Sequence, residues 1–475
     1  MSLNESKNQR PPSQTRSGEG ARPGSSSLEL PVLRDQVFVT LAERLDGFTE
    51  TLSEQERLAL SALLDLASAN NPFKVLAEEP AEGLLSEQEI EVYRRLQEEP
   101  PSGAKGLRRT MVVVMKATRL CNLRCTYCHF WREGPNQVMA FEVLTRAIRD
   151  VLRSPGVQNV DFVWHGGETT LLPVTYYRKA IWLQEQFRRP DQKVTNSLQT
   201  NGTNLTDEWL QFCRLFEVEI GVSLDGPPEV NDRRRVDAGG APTSGRVREG
   251  IRKLQAHGLN YGVLMVIDDD VVALGAERVL NYFLEIGVQR IGLLNVIPEN
   301  TPSESLKGGY ISWSKYVTFL QDLFRMWWPA YKDRIWIREL SDLIGKVQGQ
   351  RAATCIFDGD CMGGFLTIEP SGDVSACDKY LGDEAYQFGN ILRMDLADLS
   401  NSAQLRGARN TTGSAVDTLR ECPWFQVCQG ACPHDRYIAN RRGVSFEQGC
   451  CGLAPLISEI AETLGKETNS EANSF

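Results

Sequence analysis

The sequence predicts an α/β protein: a partial barrel of six parallel strands, a small helical extension before it and a loop-rich, cysteine-dense domain after it. Six short runs rich in β-branched residues alternate with longer amphipathic stretches from about residue 110. Eight of the 12 cysteines lie between Cys355 and Cys451, where this alternation fades. Apolar residues at helical spacing precede the barrel. These three observations define the fold class.

Composition narrows the functions open to the chain. Its 475 residues suggest two or three domains of ~150 residues each. Acidic residues outnumber basic ones, 62 to 52, which argues against a nucleic-acid coat and against a polybasic membrane anchor. No apolar run approaches the ~20 residues that cross a bilayer, and the polar first residues predict no secretory signal. We therefore expect a cytoplasmic protein, in which clustered thiols bind metal or do redox chemistry rather than form six disulfides.

The segment before the barrel divides in two. Residues 1–27 are rich in Ser, Gly, Pro, Arg and Gln and predict a disordered tail. Residues 28–105 predict a helical extension. Its first helix follows from apolar residues on one face, at Leu58, Leu60, Leu63, Leu64 and Leu66. A second helix is expected to begin after Ser86, where acidic residues favour a helix N-terminus, and to end near Leu96.

Residues 106–330 predict the barrel. The expected strands are Met111–Met115, Val160–Val163, Val194–Leu198, Val218–Val222, Tyr261–Ile267 and Arg290–Val296. The expected helices span about 140–153, 174–188, 206–214, 244–257 and 274–286. Strands separated by helices indicate a parallel sheet with right-handed crossovers. An eightfold barrel would need about two more units, so a six-stranded partial barrel fits better.

Residues 331–465 predict a domain organised by metal, followed by a flexible tail over 466–475. The thiols follow the pattern Cys355-x5-Cys361-x15-Cys377, then Cys422-x5-Cys428-x3-Cys432, then Cys450-Cys451. Clustered thiols of this kind suit metal binding, and a structural zinc domain is one alternative for the region. Cys213 falls outside every pattern, at the end of a predicted helix, and is interpreted as a core residue.

A further thiol motif directly follows the first strand. Cys121, Cys125 and Cys128 have the spacing C-x3-C-x2-C on a strand-to-helix loop. Three buried structural thiols are the plain alternative, but the polar residues Asn122 and Arg124 between them argue against it. Zinc sites prefer paired C-x2-C knuckles and four ligands, and no fourth ligand lies nearby in sequence. A cubane held by three thiolates would leave one iron open to another ligand.

This segment resembles the cluster motif of radical S-adenosylmethionine (SAM) enzymes. The resemblance implies a partial (β/α)6 barrel, a [4Fe–4S] cluster on the three cysteines and a SAM molecule chelated by the open iron. It places Tyr127 by the adenine. The expected chemistry is one-electron cleavage of SAM to a 5′-deoxyadenosyl radical, which abstracts hydrogen from the substrate. An electron donor such as flavodoxin or ferredoxin is implied.

Loops at later strand ends extend the resemblance. Gly166-Gly167-Glu168 follows the second strand, where a glycine pair lets the backbone approach a ligand and the family holds the methionine amino group. A plain turn explains this string about as well. By the same resemblance Ser223 contacts the cofactor and Arg235 pairs with its carboxylate, for which a planar guanidinium is suited. The alternative for Arg235 is one member of a solvated basic run.

The later cysteines resemble the SPASM domain, which carries two auxiliary [4Fe–4S] clusters, so three clusters are expected in all. On that pattern the first auxiliary cluster is ligated by Cys355, Cys361, Cys377 and Cys432. The second is ligated by Cys422, Cys428 and Cys450. Leu419 stands where the family has a further cysteine. Either Cys451 replaces that thiolate, or one iron is open or bound by substrate.

Over about 110–460 the chain resembles anaerobic sulfatase-maturating enzymes and related peptide maturases. The shared strings are Trp164–Leu171, Ser197–Gly202, Gly221–Pro228, Gly372–Asp378 and Cys428–Arg436. The resemblance makes Asp378 the base on the target side chain, and burial would raise its pKa toward that use. The alternative is that Asp378 only accepts backbone hydrogen bonds. His165 departs from the family, which has Gln there, and the extension before the barrel is additional.

These features predict an oxidoreductase that modifies a side chain of a peptide or protein substrate. A crosslink-forming maturase of ribosomally made peptides is preferred, because the extension suits binding of a leader peptide or a partner protein, although it suits a helical cap over the barrel equally. Formylglycine formation on a sulfatase is the alternative within this class. Outside it stand a radical dehydrogenase of a small molecule and a non-catalytic electron carrier or Fe–S regulator; the intact triple-cysteine motif argues against the last.

Overall fold

The computed structural model describes residue 53 and residues 71–99, 107–128, 136–295, 311–359, 361–380, 382–441 and 450–472. The chain divides into two compact units, Met1–Ala69 and Asn70–Phe475. The fold described below is that of the second unit. The predicted tail 1–27 and the predicted leucine-rich first helix lie outside the described residues.

One ten-stranded sheet organises this unit. Its strands are β1 Thr110–Thr118, β2 Asn159–Gly166, β3 Lys193–Thr200, β4 Glu219–Ser223, β5 Tyr261–Ile267, β6 Arg290–Asn295, β7 Trp336–Ile337, β8 Phe365–Ile368, β9 Asp373–Ser375 and β10 Gln387–Asn390. The strand order is β10-β9-β8-β1-β2-β3-β4-β5-β6-β7. Strands β1 to β6 are parallel and lie in chain order, so the predicted parallel sheet and all six of its strands are confirmed.

Helices connect the strands as predicted. The helices of the described residues are Pro72–Ala77, Ala81–Leu84, Glu87–Glu98, Phe141–Arg153, Val174–Phe187, Asp207–Leu215, Pro228–Arg234, Ser244–Ala256, Asp269–Leu274, Ala276–Glu285, Trp313–Tyr331, Arg338–Val347, Leu396–Ser400, Ala403–Asp417, Phe425–Cys428, Pro433–Arg441 and Ala454–Ala472. The helix predicted over 274–286 is preceded by a shorter one, because Gly275 has φ +88° and interrupts the helical path. The last helix continues through residue 472, into the segment predicted as a flexible tail.

The region after the barrel is less separate than the sequence predicts. Strand β8 pairs in parallel with β1, from Val112 opposite Phe365 to Met115 opposite Ile368. Strands β9 and β10 then add to β8 in antiparallel fashion. The cysteine-dense region therefore shares its sheet with the barrel. Strands of three or four residues are too short for sequence periodicity to reveal them.

Residues 72–99 pack against the outer helices of the barrel. Ser86 and Glu89 form a reciprocal capping box, which confirms the predicted start of the helix Glu87–Glu98. From this helix Tyr93 packs edge-on against Trp182, with ring centroids 4.8 Å apart. Glu89 accepts hydrogen bonds from Lys179 on the same barrel helix. This part of the extension packs laterally against the barrel helices.

The core of the barrel lies between the sheet and these helices. Phe162 and Trp164 lie two positions apart on β2, on the same face of the strand, and both are almost fully buried. Cys213 is also buried, in the helix Asp207–Leu215, which confirms its interpretation as a core residue. Within the described residues no helix is both long and apolar enough to span a membrane.

Candidate active site and cluster centres

The loop that carries the first three cysteines is fixed by backbone pairing. Arg124 donates its amide proton to the carbonyl oxygen of Val236 over 2.7 Å. Asn201, at the end of β3, donates to the side chain of Asn122 over 2.8 Å. The loop Cys121–Cys128 is thus held at the carboxyl ends of the parallel strands, where ligands of such sheets bind.

Burial disfavours the charged form of the thiols in this loop. Burial, with the charge of the neighbouring thiols, raises the pKa of Cys121 to about 12. Burial likewise raises the pKa of Cys125 to about 11, against the opposing effect of Arg235. Buried thiolates are therefore costly unless a bound cation neutralises them. An all-sulfur donor set of three fits an iron–sulfur cluster.

The thiols are not spaced for a single metal ion. Across the part of the chain that the structure describes, no three His, Cys, Asp or Glu side chains are placed to hold one ion. An all-sulfur donor set suits a cluster, which spreads its thiolates over several irons.

Tyr127 is fixed by a network of charged groups. Its hydroxyl donates to Asp225 over 2.7 Å and accepts from Arg235 over 2.6 Å. The Arg234 guanidinium lies 5.3 Å from the centre of the Tyr127 ring and pairs with Asp225 at 2.8 Å. Burial alone would raise the pKa of Asp225, but the two arginines hold it below its ordinary value. The ring expected beside the adenine is thereby held in one orientation.

Arg235 is a buried residue with an unused donor. Arg234 and Arg235 are 4% and 7% exposed, so neither belongs to a solvated basic run. The Nε of Arg235 has no hydrogen-bond partner among the described residues, although it is inaccessible to solvent. A buried donor without a partner is uncommon in native structures. A carboxylate beside Arg235 would satisfy it.

The glycine pair after β2 has a structural reason. A Cβ atom at Gly166 would collide with the carbonyl oxygen of Thr118, and one at Gly167 with that of Leu120. Both contacts are with the backbone that leads into the cysteine loop. The glycines therefore let β2 approach that segment, a reason different from the close approach to a ligand that the sequence suggests.

Glu168 joins the second and third strand ends. One carboxylate oxygen accepts hydrogen bonds from Thr200 and from the amide and hydroxyl of Thr170. The other accepts the amide proton of Asn201 over 2.7 Å. Both oxygens of this buried side chain are thus engaged by protein donors, which supports a positioning role. Its predicted contact with the cofactor stays a prediction.

Ser223 ends β4 on the same edge of the sheet. Its hydroxyl accepts a hydrogen bond from the Gln199 side chain over 2.8 Å. Gln199 lies near the end of β3, so the third and fourth strand ends are linked across the site. The structure thus brings Ser223 to the carboxyl edge that also carries Tyr127 and Arg235.

Asp378 reaches the barrel from the cysteine-dense region. Its carboxylate forms an ion pair with Lys116, a residue of β1 whose side chain is 0% exposed. The Lys116 ammonium also lies 3.0 Å from Nδ1 of His165 on β2. Lys116 is a buried residue at this site that sequence reasoning missed. The available signal was a lysine inside the apolar run of β1.

Four cysteines of the later region gather on one side of Asp378. Burial, and then the charge of Cys355, raises the pKa of Cys377 well above its ordinary value. Burial raises the pKa of Cys432 to about 11, and Cys355 contributes there too. The charge of Cys361 also raises the pKa of Cys377. The set predicted for the first auxiliary cluster is thus brought together by the fold.

The remaining four cysteines form a second group. The Sγ atoms of Cys451 and Cys428 are 3.3 Å apart. Cys450 interacts with both Cys451 and Cys422, and its pKa is lowered to about 5, chiefly by the hydrogen bond from Cys451. Leu419 is 7% exposed and belongs to the apolar core. Cys450 and Cys451 therefore both belong to this second group of thiols. They lie in an irregular segment before the last helix.

The fold and these thiol groups define a radical SAM enzyme with an auxiliary-cluster domain. Residues 115–271 match the Radical SAM superfamily. Residues 360–433 match the SPASM iron–sulfur cluster-binding domain. Domains of these two kinds bind [4Fe–4S] clusters. The matches fall inside the predicted barrel and the predicted cysteine-dense domain, whose outer boundaries stay predictions.

The chain belongs to the family of the anaerobic sulfatase-maturating enzymes. It is 30% identical over 356 residues to the serine-type anaerobic sulfatase-maturating enzyme of Bacteroides thetaiotaomicron, covering 70% of this chain and 84% of that protein. It is 27% identical over 332 residues to the cysteine-type enzyme of Clostridium perfringens, covering 68% and 88%.

Solved structures share the fold. Native anSMEcpe with bound AdoMet and Cp18Cys peptide has a TM-score of 0.63 and 24% identity, covering 79% of this chain and 100% of that one. Streptococcus suis SuiB bound to S-adenosylmethionine has a TM-score of 0.50 and 13% identity, covering 71% and 75%. At these identities the likeness concerns the fold alone.

Proposed function

We propose that this radical SAM enzyme oxidises a side chain of a peptide or protein substrate, with Asp378 accepting a proton from the reacting residue. The observation that carries the proposal is the ion pair between Asp378 and Lys116. It fixes a carboxylate from the auxiliary region at the strand ends where the cofactor residues gather. The relatives named above, which mature sulfatases, support the same class of reaction.

The residues present fit the expected cofactors. Cys121, Cys125 and Cys128 would hold the SAM-binding cluster, and the unused Nε of Arg235 fits the methionine carboxylate. The further residues proposed to contact SAM are Tyr127, Gly166, Gly167, Glu168 and Ser223. When bound, the cluster and SAM supply a 5′-deoxyadenosyl radical that removes a hydrogen atom from the substrate.

The auxiliary clusters are proposed on the two thiol groups of the later region. Cys355, Cys361, Cys377 and Cys432 would hold the first, and Cys422, Cys428, Cys450 and Cys451 the second. None of these eight described cysteines forms a disulfide bond, as cluster ligation requires. The proximity of Cys428 and Cys451 supports the replacement of the missing thiolate by Cys451.

Asp378 suits the role of a base for a reason that differs from the sequence argument. A raised pKa was expected from burial in a closed pocket, but the side chain is 28% exposed as a whole, and its buried Oδ1 is paired with a cation. A lysine partner favours the charged carboxylate, which is the form that accepts a proton. After hydrogen abstraction, oxidation would be completed by loss of one proton, which Asp378 would accept, and of one electron, which would pass to the auxiliary cluster proposed on Cys355, Cys361, Cys377 and Cys432.

Within this class we favour a crosslink-forming peptide maturase, with formylglycine formation as the second candidate. The extension before the barrel supports the first. Its described part packs against helices Phe141–Arg153 and Val174–Phe187, and such an addition to the barrel suits binding of a leader peptide or a partner protein. The 30% identity to a serine-type sulfatase-maturating enzyme supports the second.

One assay separates these candidates. The reconstituted enzyme, with SAM and a flavodoxin or ferredoxin as donor, is incubated under cytoplasm-like reducing conditions with two kinds of peptide. One is a sulfatase-derived peptide with a target Ser or Cys, and the other is any short peptide encoded beside the gene. Formylglycine reacts with hydroxylamine, whereas a crosslinked product has lost two hydrogens and carries no aldehyde. Oxidation of small alcohols, with neither peptide changed, would contradict the proposal.

A further inference from the structure

Lys116 carries a charge in a place where strands are normally apolar. It lies opposite His165 in the parallel pairing of β1 and β2, and its side chain is 0% exposed. A buried ammonium is costly unless its hydrogen bonds and its charge are compensated. Both partners described above meet this need, since the ammonium contacts His165 Nδ1 and the Asp378 carboxylate.

The contact with His165 fixes where the imidazole proton resides. An ammonium has three protons to donate and no lone pair to accept one. Nδ1 of His165, 3.0 Å from Lys116 Nζ, must therefore be the acceptor. The ring is then neutral and carries its proton on Nε2.

The surrounding charges favour the neutral ring. Lys116 lies in β1 and Arg119 directly follows it, whereas Glu369 and Asp378 follow β8 and β9. Arg119 pairs with Glu369 at 2.8 Å, and Lys116 pairs with Asp378, so two cations face two anions. Burial, and then Lys116, lowers the pKa of His165 to about 4. A proton added to the imidazole would leave this group with an unbalanced positive charge.

We propose that Lys116 is a positioning residue that fixes the Nε2–H tautomer of His165 and holds the Asp378 carboxylate against the end of β1. Lys116 thereby sets the orientation of the Asp378 carboxylate, which comes from the auxiliary region. It also determines which ring nitrogen of His165, in the barrel, donates and which accepts. Its effect on turnover rests on the proposed role of Asp378, whereas its effect on the tautomer does not.

A Gln side chain can reproduce the hydrogen-bonding order of this tautomer. A Gln amide offers a carbonyl oxygen as acceptor and an NH2 group as donor. A neutral imidazole with its proton on Nε2 offers the same pair, with the acceptor toward Lys116. His165→Gln preserves this order, and His165→Leu removes both functions at similar bulk.

The test compares Lys116→Met, His165→Gln and His165→Leu in the reconstituted holoenzyme. The first measurement is product formed per 5′-deoxyadenosine, together with kcat and KM for a peptide substrate. We expect Lys116→Met and His165→Leu to lower the ratio about 10- to 100-fold, as misplaced groups do. His165→Gln should retain a ratio about tenfold above that of His165→Leu. Lys179→Met removes an ion pair on the flank and serves as the control with an unchanged ratio.

The second measurement is 15N NMR of enzyme labelled at its four histidines. The signal lost in His165→Gln identifies His165, and its shifts should show the Nε2–H tautomer. In Lys116→Met the same signal should move toward a mixture of tautomers. An unmoved signal, or equal ratios for His165→Leu and His165→Gln, would overturn the inference.

Two further results separate loss of the clusters from loss of positioning, and the role of Asp378 from that of Lys116. If Lys116→Met loses its iron, the double variant Lys116→Met/Asp378→Asn removes both charges of the pair, and its His165 signal gives the same test. If Asp378→Asn turns over at the parent rate while the tautomer depends on Lys116, the proposed base is wrong and the positioning of His165 by Lys116 stands.

Discussion

Arg235 has one side-chain donor, Nε, that no described residue uses. Its Nη1 donates to Tyr127, while its buried Nε has no partner among the described residues. Arg235→Lys keeps the charge but removes the planar fork. We expect SAM affinity to fall about 10- to 100-fold, in line with loss of a hydrogen bond to a charged group. Equilibrium dialysis with labelled SAM measures it.

The control for this change lies two positions earlier. Arg233 is solvent-exposed, and Arg233→Lys should leave SAM affinity and iron content as in the parent. Equal affinities for the two variants would show that Arg235 serves only the Tyr127 network.

Asp378 carries the second prediction at this scale. Asp378→Asn keeps the shape of the side chain and removes its charge. Product formation should fall about 10²- to 10⁴-fold, the usual contribution of a general base, while SAM is still cleaved. Quantifying 5′-deoxyadenosine and modified peptide in one reaction checks both. Asp333→Asn, at an exposed position, is the matched control.

Single residues differ in how far sequence reveals them. The cysteines and Arg235 follow a local motif, so their positions were predictable. Lys116 was not, because its partner Asp378 comes from another region of the chain and only the fold brings them together. Burial of Asp378 was also overestimated from sequence, since the ion pair that governs its charge depends on the same tertiary contact.

We propose the loop Cys121–Cys128 as the element on which radical formation depends. Replacing its three cysteines with Ala removes every thiolate at the end of β1 and leaves the later thiol groups intact. We expect loss of SAM cleavage with retention of the auxiliary-cluster signals in electron paramagnetic resonance. Continued 5′-deoxyadenosine production by this variant would be incompatible with the assignment.

The helix Glu87–Glu98 is an element with a structural role. Leu96 is 0% exposed, and its carbonyl accepts a hydrogen bond from Arg149 of the barrel. Leu96→Ala should lower the free energy of unfolding by about 2–5 kcal/mol through the cavity it leaves. Thermal unfolding of the holoenzyme measures this. Val75→Ala, at an exposed position, should change stability little, and product per 5′-deoxyadenosine should stay constant in both.

Elements with strong periodicity were predictable and short ones were not. The six barrel strands and the capped start at Ser86 were readable, because apolar patterns and capping residues act locally. Strands β7 to β10 have two to four residues and acquire strand geometry by pairing with neighbours distant in sequence. Tertiary hydrogen bonding, rather than local preference, makes them part of the sheet.

At the scale of the whole molecule, three thiol groups predict three clusters and about twelve irons per chain after anaerobic reconstitution. Cys451→Ala should lower the iron content and alter the auxiliary-cluster spectra, because its Sγ lies beside that of Cys428. Iron analysis with Mössbauer spectroscopy measures the change. Cys213→Ala removes a buried thiol outside the three groups and should leave iron unchanged. Parent-like spectra for Cys451→Ala would indicate another ligand or an open iron.

The parallel pairing of β1 with β8 also has a consequence during synthesis of the chain. Val112 and Phe365 are about 250 residues apart, which takes a ribosome roughly 10 to 50 s to cover. Throughout that interval the nascent barrel presents the unpaired edge of β1, with Val112, Val114 and the buried Lys116 lacking their later neighbours. Exposed edges of this kind template aggregation. Truncation before residue 365 leaves this edge of β1 without its partner strand and should therefore produce inclusion bodies.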